Sequence, residues 1–112
     1  MADAFTEFVE DLDANDADAK TSIINVQENK IFGFAVIPLS GSHSNHTIQV
    51  QCSFNILDFF DVEDRNTSPA DVVHVDGIGI TDMHFTVAKF LRFVVSTPEG
   101  SPSMVKVFLN AK

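Results

Sequence analysis

The feature that most limits the fold of this chain is a two-residue hydrophobic period that runs from Thr21 to the C-terminus. It is clearest over residues 46–54, where Ile48, Val50, Cys52 and Phe54 alternate with Thr47, Gln49, Gln51 and Ser53. Successive side chains of an extended backbone project to opposite faces, so the pattern specifies a strand with one dry face and one wet face. Related runs occupy residues 23–26, 30–37, 58–62, 72–75, 83–87, 89–97 and 104–111. They are separated by breakers: a polar turn at 27–29, a Ser/Gly loop at 40–45, a polar stretch at 63–71 with Pro69, and a glycine-bearing loop at 76–79. About eight short strands with no helical period between them predict an all-β, antiparallel, jelly-roll-like β-sandwich over residues 21–112.

Three of these runs carry finer expectations. In residues 30–37, Phe32, Phe34 and Val36 share one face, and Ile31, Gly33, Ala35 and Ile37 share the other. Both faces are apolar, which predicts burial on both sides. Pro38 has no amide donor and should end that strand. The last two strands place Leu91, Phe93 and Val95 inward opposite Arg92, and Val105, Val107 and Leu109 inward opposite Lys106. The turn-rich loop at 98–103 between them suggests a hairpin.

The N-terminus reads differently. Phe5, Phe8, Val9 and Leu12 fall at the i, i+3, i+4, i+7 spacing of one helical face, with an acidic opposite face. An amphipathic helix of three turns is marginal alone in water, so this arm needs a surface, either its own sandwich or a neighbouring subunit. Residues 13–20 show no apolar face and read as a linker. Residues 1–20 thus form an acidic arm and linker, with a net charge of −6 out of the chain's −9. Phe5, Phe8, Val9 and Leu12 are candidate interaction residues. Arg92 is a fifth, either as a wet-face arginine over a neighbouring strand or as half of an ion pair at a subunit contact.

Charge and composition exclude several functions. A net charge of −9 without a basic cluster argues against nucleic acid and anionic membrane as partners, and no segment approaches the roughly 20 apolar residues of a membrane span. The 11 Phe residues suit a dry interior, while the absence of Trp and Tyr removes the usual sugar-stacking platforms. The lone Cys52 excludes an intrachain disulfide and fits folding in a reducing cytoplasm. Its inward position predicts a buried, inert thiol. The start of the chain has no basic, apolar leader pattern.

No catalytic or cofactor motif emerges. His43 and His46 are two ligand types at a plausible spacing, but zinc needs three or four converging ligands; they and His74 and His84 read as loop and wet-face residues. Asp58, Asp61, Glu63 and Asp64 lack the spacing of a calcium loop. There is no nucleophile elbow, and Gly77-Ile78-Gly79 lacks the further glycines and helix of a phosphate loop. The expectation is a protein that is not an enzyme and binds no metal or cofactor.

Several segments resemble a known group. His46-Thr47-Ile48-Gln49-Val50-Gln51-Cys52-Ser53, then Phe59-Phe60-Asp61-Val62, then Ala88-Lys89-Phe90-Leu91-Arg92-Phe93-Val94-Val95-Ser96-Thr97 before a final strand resemble small β-sandwich proteins encoded among the virion genes of tailed bacteriophages. That resemblance spans about residues 21–112. It implies a virion protein made in the host cytoplasm: a capsid decoration (cement) protein, or a head or tail accessory protein. Such a protein would bind the major capsid protein or another virion protein, and itself as a homo-oligomer, most simply a homotrimer. The last two strands also resemble, distantly, those of discoidin-type sandwiches. The alternative is therefore a discoidin-like or carbohydrate-binding module, using the loops around 43–47 and 76–82.

Overall fold

A computed structural model describes residues 6–26, 29–64, 69, 71–81, 84–86 and 88–112. None of these residues is helical. In chain order the strands are β1 (Thr6–Asp13), β2 (Ile24–Asn25), β3 (Ile31–Gly41), β4 (Thr47–Ser53), β5 (Phe60–Asp61), β6 (Glu63–Asp64), β7 (Asp71–Val72), β8 (His74–Asp76), β9 (Gly79–Ile80), β10 (His84–Phe85), β11 (Phe90–Thr97) and β12 (Ser103–Ala111). The first sheet runs β1-β12-β3-β10, with β9 also on the free side of β3. The second runs β2-β11-β4-β5, with β8 also on the free side of β4, and β6 and β7 form a separate two-stranded ribbon. All pairings are antiparallel. If β5 and β8 count as one position, and β9 and β10 as another, the sheets are ordered 1-8-3-6 and 2-7-4-5. This interleaving is the strand order of a jelly roll.

The alternation seen in the sequence builds the core. Phe32, Phe34 and Val36 of β3, with Val105, Val107 and Leu109 of β12, face Ile48 and Val50 of β4 and Leu91, Phe93 and Val95 of β11. Phe93 bridges the layers: its ring centroid lies 4.7 Å from that of Phe34 and 6.5 Å from that of Phe8, both in the opposite sheet. Large rings without polar atoms fill the gap of about 10 Å between packed sheets without needing hydrogen-bond partners.

The N-terminal arm is a strand, not a helix. β1 pairs with β12 over eight positions, from Thr6↔Ala111 to Asp13↔Met104. Phe8 and Leu12 are four residues apart, an even spacing that a helical face and a strand face share. Val9 separates the two cases, because a strand turns it away from both. The strand wins because it satisfies the backbone edge of β12, whereas a short acidic helix has little to hold it together. Residues 13–20 pack on the sandwich as well. Ala14 is fully buried, its N–H donates to the Ser103 carbonyl, and its carbonyl accepts from the Glu99 N–H, both at 2.9 Å. Asp13 and Asp16 tighten the turns by accepting from the N–H groups two residues ahead.

Two strand expectations also change. β3 continues through Pro38 to Gly41, because the ladder shifts register there: Val105 pairs with Pro38 and Met104 with Ser40, so Leu39 is the extra residue of a bulge. A bulge is where a strand tolerates a missing donor. The last two strands do not form a hairpin. β11 pairs with β2 and β4, whereas β12 pairs with β1 and β3. A loop of about five residues spans up to roughly 17 Å, enough to cross between the sheets.

Candidate interaction face

The outer face of the first sheet carries an apolar row among the charged residues Glu7, Asp11, Asp13 and Lys106, and no other layer covers it among the described residues. Registration across four strands places Val9 beside Phe108, Phe108 beside Ala35, and Ala35 beside Ile80. Val9 is 53% exposed, Phe108 37% and Ile80 80%. Ile37 extends the row along β3 and is also exposed. Lys106 and Asp11 flank it, 3.9 Å apart. The apolar outward face of β3 was expected to be buried on both sides. Within this chain only the Phe32, Phe34 and Val36 side is, because the jelly roll supplies one partner sheet and no third layer. Large contiguous exposed apolar patches are commoner at contact surfaces than on the rest of a protein.

The sequence-derived candidates separate here. Phe5 lies outside the described residues. Phe8 and Leu12 point into the core, with Leu12 only 4% exposed, and Val9 alone of the four lies on the outer face. Arg92 sits on the outer face of the second sheet. There its Nε donates to Gln51 Oε1 at 2.9 Å, and its guanidinium lies 3.8 Å from the Phe59 ring centroid. Phe108, Ile80 and Ala35 were missed as a group because the β1–β12–β3–β9 register brings them together from distant parts of the chain. The one available signal was that both faces of residues 31–37 are apolar.

A polar cluster closes one end of the sandwich. The Glu99 carboxylate accepts from the backbone N–H groups of Asn45 and His46 at 3.1 and 3.2 Å. The Ser103 hydroxyl lies 3.1 Å, and His46 Nε2 3.3 Å, from His43 Nδ1. The tautomers of the two rings set which atom donates in each contact, and His46 Nδ1 is a buried atom without a partner. His46 is therefore a core residue, 1% exposed, and not the wet loop histidine its setting suggested. Burial holds its pKa below the ordinary imidazole value; nearby Glu99 opposes this and His43 reinforces it. Burial pushes the Glu99 carboxyl up, but the N–H groups of Asn45, His46 and Ser44, with the His46 ring, outweigh this and hold it below the usual value. Ser103 is buried too, so the cluster ties the 42–46 and 98–103 loops together rather than presenting a nucleophile.

A hollow of ≈ 380 Å³ opens between the sheets elsewhere, lined by Cys52, Phe54, Asp61, Val62, Glu63, Phe85, Thr86 and Ala88. Cys52 is half-buried on this hollow rather than enclosed, and burial followed by the nearby Asp61 raises its thiol pKa. Among the described residues no group of three or more His, Cys, Asp or Glu side chains is arranged to hold a metal ion.

No protein-family model matches this chain, and no curated protein does. Among solved structures it is similar to the SPBc2 prophage-derived protein YomS, with a TM-score of 0.56 and 6% identity over 100% of this chain and 98% of that one. At that identity the likeness is one of fold. It runs through the whole of both chains, β1 included.

Proposed function

We propose that this chain is a structural protein of a tailed-phage particle, a capsid decoration or cement protein that attaches through the outer face of its first sheet and works as a homotrimer. The open apolar row Val9–Phe108–Ala35–Ile80 carries the reading. An open apolar row bordered by Glu7, Asp11, Asp13 and Lys106 suits docking on a broad protein surface better than enclosing a small molecule. The fold shared with a prophage-derived protein supports a phage setting. The glycan-binding alternative has less support, because polar groups of its loops are spent on one another: Thr47 Oγ1 donates to Asp76 Oδ1 at 2.7 Å, and the Gly77 N–H to the His46 carbonyl at 2.8 Å.

Co-sedimentation with particles lacking the protein tests this. The wild-type chain should pellet with the particles. Ile80→Asp and Phe108→Ser, both outward and away from the core, should lower bound protein at least tenfold. Wild-type protein left in the supernatant removes the virion reading, and face variants that bind like wild type remove the face.

A further inference from the structure

The first sheet has an open edge. β1 pairs with β12 alone, and no strand among the described residues lies on its other side. The ladder decides which backbone groups face that side. In an antiparallel pair, opposed residues alternately exchange both hydrogen bonds or neither. Ala14 continues the β1–β12 register opposite Ser103, and its N–H donates to the Ser103 carbonyl. Thr6, Phe8, Glu10 and Leu12 therefore bond to β12, and the residues between them turn their N–H and C=O groups outward. The far side of β12 agrees. Lys112 and Ile31 exchange both bonds, which commits the even-numbered residues of β12 to β3 and the odd-numbered ones to β1. The Asp13 carbonyl accepts from the Asp16 N–H. That leaves Glu7, Val9 and Asp11 with both main-chain groups on the open edge, and their side chains are exposed on the outer face.

Side-chain ties hold this edge in place without a strand beside it. The Glu10 carboxylate, on the same side of β1 as Phe8 and Leu12, accepts from the Ser22 N–H at 2.8 Å and from the Ser22 hydroxyl at 2.7 Å. The Asn29 amide donates to the Thr6 hydroxyl at 2.7 Å. Both ties run to the segment that carries β2 of the second sheet. A fixed extended edge can accept a further strand, whose main-chain hydrogen bonds supply affinity while alternate side chains supply selectivity. Here the side chains reject a second copy, because charges on an edge keep like edges apart. In a symmetric antiparallel pairing about Val9, Glu7 of each copy would oppose Asp11 of the other. Residues 6–20 carry six carboxylates against Lys20 alone, so the same edge attracts cations. We propose that an extended basic segment of a partner protein adds to β1 as a further strand, with Lys or Arg opposite Glu7 and Asp11 and an apolar side chain opposite Val9. Opposite charges directly across a strand pair are favourable. Lys106 already lies 3.9 Å from Asp11, which makes Glu7 the stronger anchor. Val9 ends the outer-face row, so the partner's apolar side chain continues Val9–Phe108–Ala35–Ile80 by one position. The biological setting of this strand rests on the docking reading above.

Amide NMR of the isotope-labelled full chain, titrated with the blocked peptide Thr-Lys-Thr-Val-Thr-Lys-Thr, tests this without any particle. The N–H groups of Glu7, Val9 and Asp11 should shift and exchange with solvent at least tenfold more slowly. Those of Phe8, Glu10 and Leu12, already bonded to β12, should exchange as before. Binding should weaken several-fold between about 0.05 and 0.5 M NaCl. Val9→Pro removes one edge N–H without touching the β12 ladder, at a position where proline is accepted. It should lower affinity at least tenfold at an almost unchanged melting temperature. Glu7→Lys combined with Asp11→Lys should reverse the preference, toward Thr-Glu-Thr-Val-Thr-Glu-Thr. No response of the three edge amides, an equal response of the residues between them, or equal binding of the acidic peptide by the wild-type chain overturns the proposal. Edge amides already protected by self-association of the free chain make a second copy the occupant and overturn it too. Particle binding is read with the Ile80 and Phe108 variants, so either idea can fail alone.

Discussion

Replacing Leu12 by Ala and, separately, Val9 by Thr separates the strand from the helix at the N-terminus. On a helical face, Phe8, Val9 and Leu12 would pack together and both changes would cost similar amounts. In β1 they diverge. Leu12 is 4% exposed and belongs to the core cluster, so truncating it removes apolar contact and leaves a cavity that the two sheets cannot fully close. Such changes cost about 2–5 kcal/mol. Val9 is 53% exposed on the outer face, and a β-branched replacement there keeps strand propensity, so its cost stays within about 0.5 kcal/mol. With a urea slope of about 1–3 kcal/mol per M for a small domain, Leu12→Ala should lower the unfolding midpoint by roughly 1–3 M, and Val9→Thr should leave it almost in place. Equal shifts in the two variants, or an unmoved midpoint in Leu12→Ala, would refute the cis pairing of β1 with β12.

The polar end of the sandwich predicts a pH dependence. Burial lowers the His46 pKa in the folded chain, so below pH about 6.5 the unfolded chain binds its proton more readily than the folded chain does, and stability falls as pH falls. Glu99 adds to the same trend further into acid: its depressed carboxyl contributes stability above the ordinary carboxylate value, and that contribution is lost as pH falls through its folded value. Thermal melts from pH 7 to pH 4 should therefore show a declining midpoint. His46→Phe should flatten the upper part of that decline; an unchanged slope would remove His46 as its source. Gly41→Ala meets a separate obstacle. Gly41 has φ = 80°, and an added Cβ would lie 2.0 Å from the Pro102 carbonyl oxygen. The left-handed backbone alone costs about 1–3 kcal/mol, and the clash adds to it, so the melting temperature should drop by many degrees; a wild-type value would show that the 98–103 loop yields freely.

The sequence alone determined the all-β class, most of the strand positions and the inward sides of β3, β11 and β12. Each of these follows from the two-residue period of an extended backbone, which acts over a few neighbouring residues. In residues 46–54 that period placed Ile48 and Val50 correctly, but it put Phe54, which is exposed, inward and Gln49 and Ser53, which are buried, on the wet face. Tertiary structure decided the rest. The even spacing of Phe8 and Leu12 suited either a helix or a strand, and only the open edge of β12 selected the strand. Pro38 looked like a terminator until the Leu39 bulge absorbed it. The loop at 98–103 could close a hairpin or cross between sheets, and the partners of β11 and β12 made it cross. The apolar row Val9–Phe108–Ala35–Ile80 joins four segments separated by up to about a hundred residues. Local periodicity states which side of its own strand a residue occupies; only the pairing of strands states which residues of other segments lie beside it.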